Sequence, residues 1–382
     1  MIDELKKALM ARKHPGMSKH LSLSRLIRQA IPFVSSPSGC ARPPLTIYFS
    51  INSVCNLCCK MCDVGTRNEK SNFYRNLRID GKKNEISIER FKSVIKEVSP
   101  FRPMISITST EPLLYKPLGD AVAYVRSLGM DIAVTTNGYI LPRRAEELAD
   151  AGLSRLNVSI DGPPTLHNKI RGRDDCFEKA VEGIYLFKGA SMRKNRNAEV
   201  LVNLTITNMN YDKLVQFIDS VSEAPIDSII FSYMNFVNDS MAEEHNEVWG
   251  SKYHASVNCL NEETNPDDVD VDVLYSQIKD VKLRNDGRIS WLPDFTYAQL
   301  KTFFHEPDKF LGRSRCMVSW FIAEIIANGD VIPYARCYYI PLGNINKDSF
   351  MKIWNGERAN AWRRDLKKYK RFPACSRCDQ AF

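Results

Sequence analysis

Between residues 45 and 232, short apolar segments alternate with amphipathic segments of helical periodicity. The predicted strands are 45–49, 104–107, 132–135, 156–160, 200–206 and 228–232, and the predicted helices between them are 88–98, 118–128, 141–151, 177–188 and 212–221. Regular alternation of this kind is typical of βαβ crossovers that build a parallel sheet. The sequence therefore predicts an α/β fold in which six units form a partial (β/α)6 TIM-like barrel, open on one side.

The rest of the chain divides into three parts around this barrel, which is predicted to span residues 44–237. Residues 1–43 are a predicted N-terminal helical extension, with leucines from Leu5 to Leu26 among Lys and Arg. Such a helix either packs on its own domain or lies on a membrane surface. Residues 238–310 are predicted as a less regular connecting, substrate-side region, in which the acidic run 265–272 is a surface loop or a helix start. Residues 311–382 are predicted as a small C-terminal domain.

Composition sets limits on location and partners. Hydrophobic residues make up 44% of the 382 residues, and eleven cysteines are too few for a disulfide scaffold. No stretch reaches about 18 apolar residues, so no transmembrane span is expected, and the charged N-terminus is unlike a signal peptide. We therefore expect a cytoplasmic protein. The net charge of +8 is spread along the chain, which favours solubility or attraction of an anionic substrate over nucleic-acid binding.

A run of cysteines with metal-ligand spacing follows the first predicted strand. Cys55, Cys59 and Cys62 form a C-x3-C-x2-C loop, with Cys58 inside it. Three thiolates suit a 4Fe–4S cluster that keeps one iron open, whereas clusters that only transfer electrons take four cysteines. The alternatives are a zinc site or a set of buried free thiols, but no histidine follows within the loop.

Polar residues follow the next strands at equivalent places. Glu111, Asn137 and Asp161 each come shortly after a predicted strand. Because ligands of parallel α/β sheets bind at the carboxyl ends of the strands, we expect these residues and the cysteine loop to share one face. Residues 63–83 are expected to be a lid or insertion near the loop.

These motifs resemble the radical S-adenosylmethionine superfamily over most of residues 45–235. The resemblance implies a site-differentiated 4Fe–4S cluster on Cys55, Cys59 and Cys62 with S-adenosylmethionine on its open iron. Met61 stands where the family usually has an aromatic residue and is expected to cover the adenine edge. The run Ser109-Thr110-Glu111-Pro112 stands where the family has Gly-Gly-Glu-Pro, so that Glu111 is expected to hold the methionine amine. The alternative for Glu111 is a helix-capping carboxylate.

Further cofactor contacts follow from the same resemblance. Asn137 lies in a strand-end segment that faces the cofactor, Ser159 is expected to reach the ribose, and Arg171 is expected to bind the methionine carboxylate, for which a guanidinium is suited. Asp161 has an alternative as part of an Asp-Gly turn. Asn203 and Thr205 point the same way on their strand and are weaker candidates.

Four C-terminal cysteines make a second constellation. Cys316, Cys337, Cys375 and Cys378, with the intervening segments 327–333, 342–345 and 349–354, resemble the SPASM/twitch type of auxiliary cluster domain. The short tail after Cys378 favours the twitch form with one auxiliary 4Fe–4S cluster, which four cysteines would ligate fully. A structural zinc on the same residues is the alternative.

The function implied by the resemblance is reductive cleavage of S-adenosylmethionine to a 5′-deoxyadenosyl radical, which abstracts hydrogen from a substrate. We expect a small-molecule, carbohydrate-like intermediate, a net oxidation through the auxiliary cluster, and a flavodoxin- or ferredoxin-type reductant. The alternatives are a peptide-modifying enzyme that cross-links or epimerises, and a non-enzymatic iron–sulfur carrier. The leftover cysteines, for which inert thiols or a hydrogen-atom donor are the possibilities, are Cys40, Cys58, Cys176 and Cys259.

Overall fold

A computed structural model describes residues 23–77, 83–334 and 337–378. The helices are α1 Leu23–Ser35, α2 Asn72–Leu77, α3 Ile88–Val98, α4 Leu118–Ser127, α5 Leu141–Ala151, α6 Pro164–Arg171, α7 Cys176–Arg193, α8 Leu214–Ser220, α9 Asp239–Trp249, α10 Val271–Leu283, α11 Tyr297–His305, α12 Phe350–Trp354 and α13 Glu357–Tyr369. The strands are β1 Thr46–Phe49, β2 Met104–Ile107, β3 Ile132–Thr136, β4 Arg155–Ser159, β5 Glu199–Ile206, β6 Ser228–Tyr233, β7 Ile289–Leu292, β8 Ile322–Ile325, β9 Asp330–Ile332 and β10 Gly343–Asn344.

The strands form one sheet in the order β10-β9-β8-β1-β2-β3-β4-β5-β6-β7. Neighbours from β1 to β7 are parallel, β8 is parallel to β1, and β9 and β10 are antiparallel. Helices cross over between the parallel strands, so the predicted α/β partial barrel is confirmed. The sheet is wider than predicted, because the C-terminal strand β8 pairs with β1 and β7 continues it beyond β6.

The period-2 pattern of the strands decides which side chains reach the interior of the sheet. On β5, Val200, Val202 and Leu204 are fully buried, as expected of the face that packs under helices. The alternate residues Asn203 and Thr205 are only partly buried and point the other way. The concave side of the barrel is therefore partly polar.

Helix boundaries follow local chemistry. Ser87 caps α3 as predicted, its hydroxyl accepting from the Arg90 amide at 3.2 Å. Helix α6 was not predicted, although Pro164 at its first turn and Gly172 with φ 75 at its end are ordinary helix signals. Residues 238–310 are more regular than predicted, since they hold α9, α10, α11 and β7. Asp270 caps α10 through the amides of Asp272 and Val273, so the acidic run does start a helix.

Helix α1 confirms the described part of the predicted N-terminal extension. Its residues Leu26, Ala30 and Phe33 are buried, and Phe33 meets the edge of the Trp320 ring at 4.9 Å. The prediction for residues 1–22 lies outside the described residues. Among the described helices none is long and apolar enough to cross a membrane.

Candidate active site

The cysteine loop lies at the carboxyl end of β1 and opens onto a cavity. The thiols of Cys55, Cys59 and Cys62 border this cavity, which has a volume of about 330 Å³. The loop turns tightly, with the Cys62 amide donating to the Cys59 carbonyl at 3.2 Å. Gly65 packs against it so closely that a Cβ there would lie 2.4 Å from the backbone N and O of Cys59. The three thiols therefore face one space on a well-supported loop.

Burial and one cation set the charge state of these thiols. Burial raises the pKa of Cys55 to about 11 and that of Cys59 to about 12, so both are protonated thiols at neutral pH when no iron is bound. Arg171 opposes this at Cys59, donating to its sulfur from Nη1 at 3.6 Å. Iron binding would displace the thiol protons and leave Arg171 as a buried countercharge.

These residues fit the predicted cluster. Thiolates are the ligands that iron–sulfur clusters require, and the three are free cysteines that border a common cavity. The guanidinium beside them offsets part of the negative charge that such a cluster brings into a buried site. Among the described residues no three His, Cys, Asp or Glu side chains are arranged to hold a single metal ion, so the fit of a cluster rests on the donor chemistry and the shared cavity.

Arg171 belongs to a buried group at the end of β4. Its Nη2 forms an ion pair with the Asp161 carboxylate, and Asp161 also accepts from the Thr205 amide at 3.3 Å. Burial lowers the pKa of Arg171, but Asp161 and Cys59 outweigh burial and hold that pKa above its ordinary value. The Arg171 Nε atom is buried and has no hydrogen-bond partner among the described residues. Asp161, which follows the end of β4, thus takes part in a buried ion pair.

His167 completes that group without carrying charge. Its Nδ1 accepts from the Asp161 amide at 3.0 Å, and the ring is fully buried. Burial, and secondly the nearby Arg171, keep the pKa of His167 well below its ordinary value. His167 is therefore a neutral structural partner at neutral pH.

Glu111 lies beneath the cavity wall. Its carboxylate accepts from the Leu113 amide at 2.9 Å, the Thr136 hydroxyl at 2.7 Å and the Asn137 amide at 2.8 Å. Burial raises the pKa of Glu111 above its ordinary value, and these donors oppose that effect. The structure thus gives Glu111 the capping role, for the short turn Pro112–Leu114, and its predicted contact with the methionine amine stays a prediction.

Asn137, Ser159 and Met61 do border the cavity, as does Thr205. Asn137 extends from the end of β3 toward the cysteine loop, where its Nδ2 donates to the Asn56 side chain at 2.9 Å and contacts the Cys55 sulfur at 3.8 Å. The prediction that the strand ends and the cysteine loop share one face is confirmed. Direct cofactor contacts of these residues stay predictions.

Two polar residues near Ser109, at the end of β1 and within β8, were missed by the sequence analysis. The Ser50 hydroxyl lies 2.9 Å from the Glu324 carboxylate, which can only accept, and 2.6 Å from the Ser109 hydroxyl. Ser109 adopts φ 89, and both Ser109 and Glu324 border the cavity. The available signal was Glu324 itself, a charged residue inside the apolar strand Ile322–Ile325.

Two of the four C-terminal cysteines line the same cavity as the first group. Cys337 and Cys378 border it, and Cys316 is tied to the segment before Phe372 by its amide, which donates to the Lys370 carbonyl at 3.0 Å. Burial raises the pKa of Cys316 to about 12 and also raises the pKa of Cys337 and of Cys375. Neighbouring thiols raise the pKa of Cys316 and of Cys337 further. Cys316, Cys337 and Cys375 thus lie close enough to affect one another, and a common cluster on all four cysteines stays a prediction.

Two residues that the sequence analysis passed over support this second group. The hydroxyl of Tyr338 lies 3.3 Å from the Cys375 sulfur. Arg377, between Cys375 and Cys378, is fully buried and donates to the carbonyls of Phe303 at 2.6 Å and Thr302 at 2.7 Å. The loop that carries two of the cysteines is thus held by the end of α11.

The leftover cysteines lie in different places. Cys40 and Cys58 are exposed, and Cys176 is buried. Cys259 is partly buried and borders the cavity, and its amide donates to the carboxylate of Asp63, the residue after Cys62, at 3.1 Å.

Two family models match the chain. Residues 49–245 match the radical SAM superfamily, and residues 316–379 match the SPASM iron–sulfur cluster-binding domain. The chain belongs to the radical SAM superfamily. This radical SAM protein is an enzyme with a C-terminal SPASM domain, and its cofactors are S-adenosylmethionine and 4Fe–4S clusters.

Curated relatives of this radical SAM enzyme have several activities. The Fe-coproporphyrin III synthase of Methanosarcina barkeri is 30% identical over 153 residues, 40% of this chain and 37% of that protein. An AdoMet-dependent heme synthase of the same organism is 22% identical over 330 residues, 84% of each chain. The GTP 3′,8-cyclase of Alkaliphilus oremlandii is 31% identical over 183 residues, 47% of this chain and 52% of that protein. The match thus spans about a third of the length of the Fe-coproporphyrin III synthase and about half of the length of the GTP 3′,8-cyclase.

Solved structures show the same fold. SuiB of Streptococcus suis bound to S-adenosylmethionine has a TM-score of 0.56 at 14% identity and covers 91% of this chain and 75% of its own. The structure named native anSMEcpe with bound AdoMet has a TM-score of 0.57 at 19% identity and covers 84% of this chain and 82% of its own. At these identities the likeness concerns the fold.

Proposed function

We propose that this enzyme abstracts hydrogen from a small, hydroxyl-rich biosynthetic intermediate of carbohydrate-like character and completes a net oxidation. Cys55, Cys59 and Cys62 would hold the cluster that binds S-adenosylmethionine, and Cys316, Cys337, Cys375 and Cys378 one auxiliary 4Fe–4S cluster. When bound, the first cluster and its cofactor supply a 5′-deoxyadenosyl radical. The observation that carries this proposal is that Cys55, Cys59 and Cys62 border one cavity of about 330 Å³ together with Cys337 and Cys378.

The side chains around the first cysteine group have the chemistry to orient the cofactor. Arg171 keeps a buried Nε without a described partner beside Cys59, where a carboxylate would complete its hydrogen bonds. Asp161 fixes the guanidinium from the other side. Asn137 and Ser159 supply neutral hydrogen-bonding groups on the adjoining wall. This arrangement supports binding of the methionine carboxylate by Arg171.

The remaining wall offers partners for a polar small molecule beside the apolar side chains of Phe73, Met234, Phe236 and Val237. It includes hydroxyl and amide side chains from several elements, namely Thr108, Thr135, Thr205, Ser232, Asn235 and Asn258. Hydroxyl and amide groups match a substrate rich in hydroxyls better than they match a porphyrin, since buried polar groups need partners.

A peptide substrate is the second candidate. It is favoured by one comparison, because a crystal structure of SuiB is described as bound to the precursor peptide SuiA, with a TM-score of 0.58 at 13% identity. The carrier alternative is weaker, because the curated relatives are named as synthases and cyclases.

The proposed oxidation balances with one electron in and one electron out. A flavodoxin- or ferredoxin-type reductant supplies one electron for cofactor cleavage. The substrate loses a hydrogen atom to the radical and then a proton and an electron, and that electron passes to the auxiliary cluster. Cys337 and Cys378 line the same cavity as the first cysteine group, which supports transfer of that electron from a substrate bound there.

The test is formation of 5′-deoxyadenosine by the protein reconstituted anaerobically with iron and sulfide, given dithionite and S-adenosylmethionine. We expect formation by the wild type and its loss in Cys59→Ala. Cys58→Ala is the matched control, because Cys58 is exposed in the same loop and should be dispensable. Equal formation by wild type and Cys59→Ala would contradict the proposal.

Substrate class is read from the product. A screen of sugars and aminocyclitols that raises the rate of 5′-deoxyadenosine formation, with one oxidised product per 5′-deoxyadenosine, supports the small-molecule oxidation. Incorporation of deuterium from solvent into a peptide without net oxidation would instead establish epimerisation.

A further inference from the structure

Part of the second cysteine group is accessible from the protein surface. Cys316, Cys375 and Cys378 are partly exposed and Cys337 is buried, a mixture that the first group shares, with Cys55 and Cys62 partly exposed and Cys59 buried. The segment 309–316 ends at Cys316 and is tied to segment 367–371 by the Cys316 amide, which donates to the Lys370 carbonyl at 3.0 Å. These two segments therefore form the outer wall of the auxiliary site.

That outer wall is strongly basic. Segments 309–316 and 367–371 contain seven Lys and Arg residues and no Asp or Glu. We call the basic rim the set Arg313, Arg315, Lys368, Lys370 and Arg371. Lys368, Lys370 and Arg315 are exposed. Of the carboxylates nearby, Glu306 is paired with Lys309 of the wall itself, Asp365 is paired with Lys252, and Asp308 precedes the wall. None of the five rim residues forms an ion pair within the part of the chain that the structure describes, so the rim has a net positive charge.

Contacts hold the rim beside the proposed cluster ligands. Arg371 donates to the Leu311 carbonyl at 2.6 Å and lies over the Phe310 ring at 4.5 Å. Arg315 directly precedes Cys316 in the chain, and the Lys370 carbonyl accepts from the Cys316 amide. The rim therefore lies next to one of the proposed ligands.

An exposed aromatic ring lies beside the rim. Phe310 is 44% exposed although it is large and apolar. An aromatic residue among charged residues is typical of protein docking surfaces, where a central apolar contact is surrounded by a polar border. Charge, an apolar contact and a partly exposed redox-active thiolate group occur together here.

We propose that the basic rim and Phe310 form the docking surface for an acidic one-electron carrier protein of the flavodoxin or ferredoxin class. This inference rests on the proposed function, in which one electron per turnover leaves the substrate for the auxiliary cluster. That cluster, held by the four C-terminal cysteines, passes the electron to the oxidised carrier, which becomes the one-electron-reduced form. Opposite charge steers the carrier to the surface nearest the electron donor.

The test isolates the auxiliary site. The variant Cys55→Ala/Cys59→Ala/Cys62→Ala, reconstituted with iron and sulfide, retains only the auxiliary cluster. It is reduced, freed of reductant and mixed with an oxidised acidic flavodoxin, and semiquinone formation is followed by its absorbance. We expect a second-order rate that falls steeply between 20 and 200 mM NaCl, because charge steering is screened by salt.

A charge reversal tests the surface itself. In the same background, Arg313→Glu/Arg315→Glu should slow semiquinone formation and weaken flavodoxin binding about tenfold or more at low salt. Arg193→Glu/Lys194→Glu is the matched control, since it changes net charge equally at the distant end of α7, where the ion pairs are exposed and contribute little. Iron content and the spectrum of the reduced cluster are measured in all three proteins to verify equal loading.

Several outcomes would overturn the inference. One is an equal rate and affinity for the rim variant and its control at equal iron loading. Another is no electron transfer from the auxiliary-only protein. A third is tighter binding of a single-stranded DNA 20-mer than of flavodoxin, lost in the same variant. Failure of the proposed function is measured separately. It would appear as a wild-type protein that forms no 5′-deoxyadenosine with dithionite, in an assay that needs no carrier.

Discussion

Ser109 occupies a backbone conformation that favours glycine. Its φ of 89 lies in the left-handed region, at a position where the superfamily motif carries glycine. The hydroxyl is held by Ser50 at 2.6 Å and lies near the Glu324 carboxylate at 3.4 Å. These partly buried hydrogen bonds offset the backbone strain of about 1–3 kcal/mol that a residue other than glycine has at this φ.

Two substitutions separate strain from hydrogen bonding at this residue. Both Ser109→Gly and Ser109→Ala remove the hydroxyl, but only glycine relieves the strain. We expect the glycine variant to have the higher free energy of unfolding, by about 1 kcal/mol. Urea unfolding measures the difference. At the exposed helical residue Ser127 the same pair should show the opposite order, since alanine is the better helix former. An equal stability of the two Ser109 variants would show that the position is unstrained.

His167 makes stability depend on pH. Its folded-state pKa is held well below the ordinary value of 6.5, so the unfolded chain binds a proton that the folded chain refuses. Stability is therefore full above pH 6.5 and falls as pH drops below it, by up to about 1.4 kcal/mol per pH unit. His167→Asn keeps an acceptor for the Asp161 amide and should flatten this slope between pH 7 and 5.

Unfolding by urea at pH 5, 6 and 7 provides the measurement. The control is His305→Asn, which removes an exposed imidazole at the end of α11 and leaves His167 in place. Burial also lowers the pKa of His245, which is present in all three proteins. A slope that is unchanged in His167→Asn would contradict the assignment.

At the scale of elements, the end of α11 and the loop of the last two cysteines hold each other. Arg377 donates to the carbonyls of Thr302 and Phe303 near the end of α11 and, at 2.8 Å, to that of Lys309 beyond it. Burial lowers the pKa of Arg377 to about 10, so the guanidinium stays charged at neutral pH. The planar fork of the guanidinium is what reaches several carbonyls at once.

Arg377→Lys should therefore loosen the auxiliary site alone. Lysine keeps the charge but cannot bridge the same carbonyls, so we expect less iron in the auxiliary-only background and unchanged iron at the first cysteine group. Iron and sulfide assays after gel filtration measure this. Arg358→Lys, on the surface of α13, is the control. Full iron retention in Arg377→Lys would show that the loop of Cys375 and Cys378 does not depend on the guanidinium of Arg377.

The sequence predicted elements whose signals are local. Helices α3 and α5 were predicted at their observed bounds, because their apolar spacing and, for α3, its cap lie within the segment. Helix α6 was missed because Pro163 and Pro164 resemble a turn, and β8 because its partner β1 is remote in sequence. In the site, cysteine spacing identified both groups, whereas Ser50 and Glu324 acquire meaning only when β1 and β8 meet.

At the scale of the whole molecule, the barrel and the SPASM domain share one sheet. Strand β8 pairs with β1 over Thr46↔Ile322 to Phe49↔Ile325, so the C-terminal segment covers an edge of the barrel. Phe49 and Ile325 are both fully buried. The proposed domain boundary at residue 311 therefore divides the chain by function, but the two parts remain joined by the hydrogen bonds of one sheet.

Removal of residues 311–382 should expose the edge of β1. An uncovered strand edge is a template for pairing with other chains, so we expect aggregation of residues 1–310 in place of a stable barrel. Light scattering and gel filtration measure this. The full-length chain with Cys316→Ala, Cys337→Ala, Cys375→Ala and Cys378→Ala is the control, because it loses the ligands and keeps β8. A monomeric, cooperatively unfolding fragment would contradict the expectation.

The pairing of β1 with β8 also orders events during synthesis. Thr46 and its partner Ile322 are 322 − 46 = 276 positions apart, and a ribosome adding ~5–20 residues per second needs roughly 14 to 55 s to make them. Cys55, Cys59 and Cys62 therefore leave the ribosome long before the strand that closes their side of the sheet. Assembly of iron and sulfide on the first cysteines to be made must wait for the last part of the chain, or be protected until it arrives.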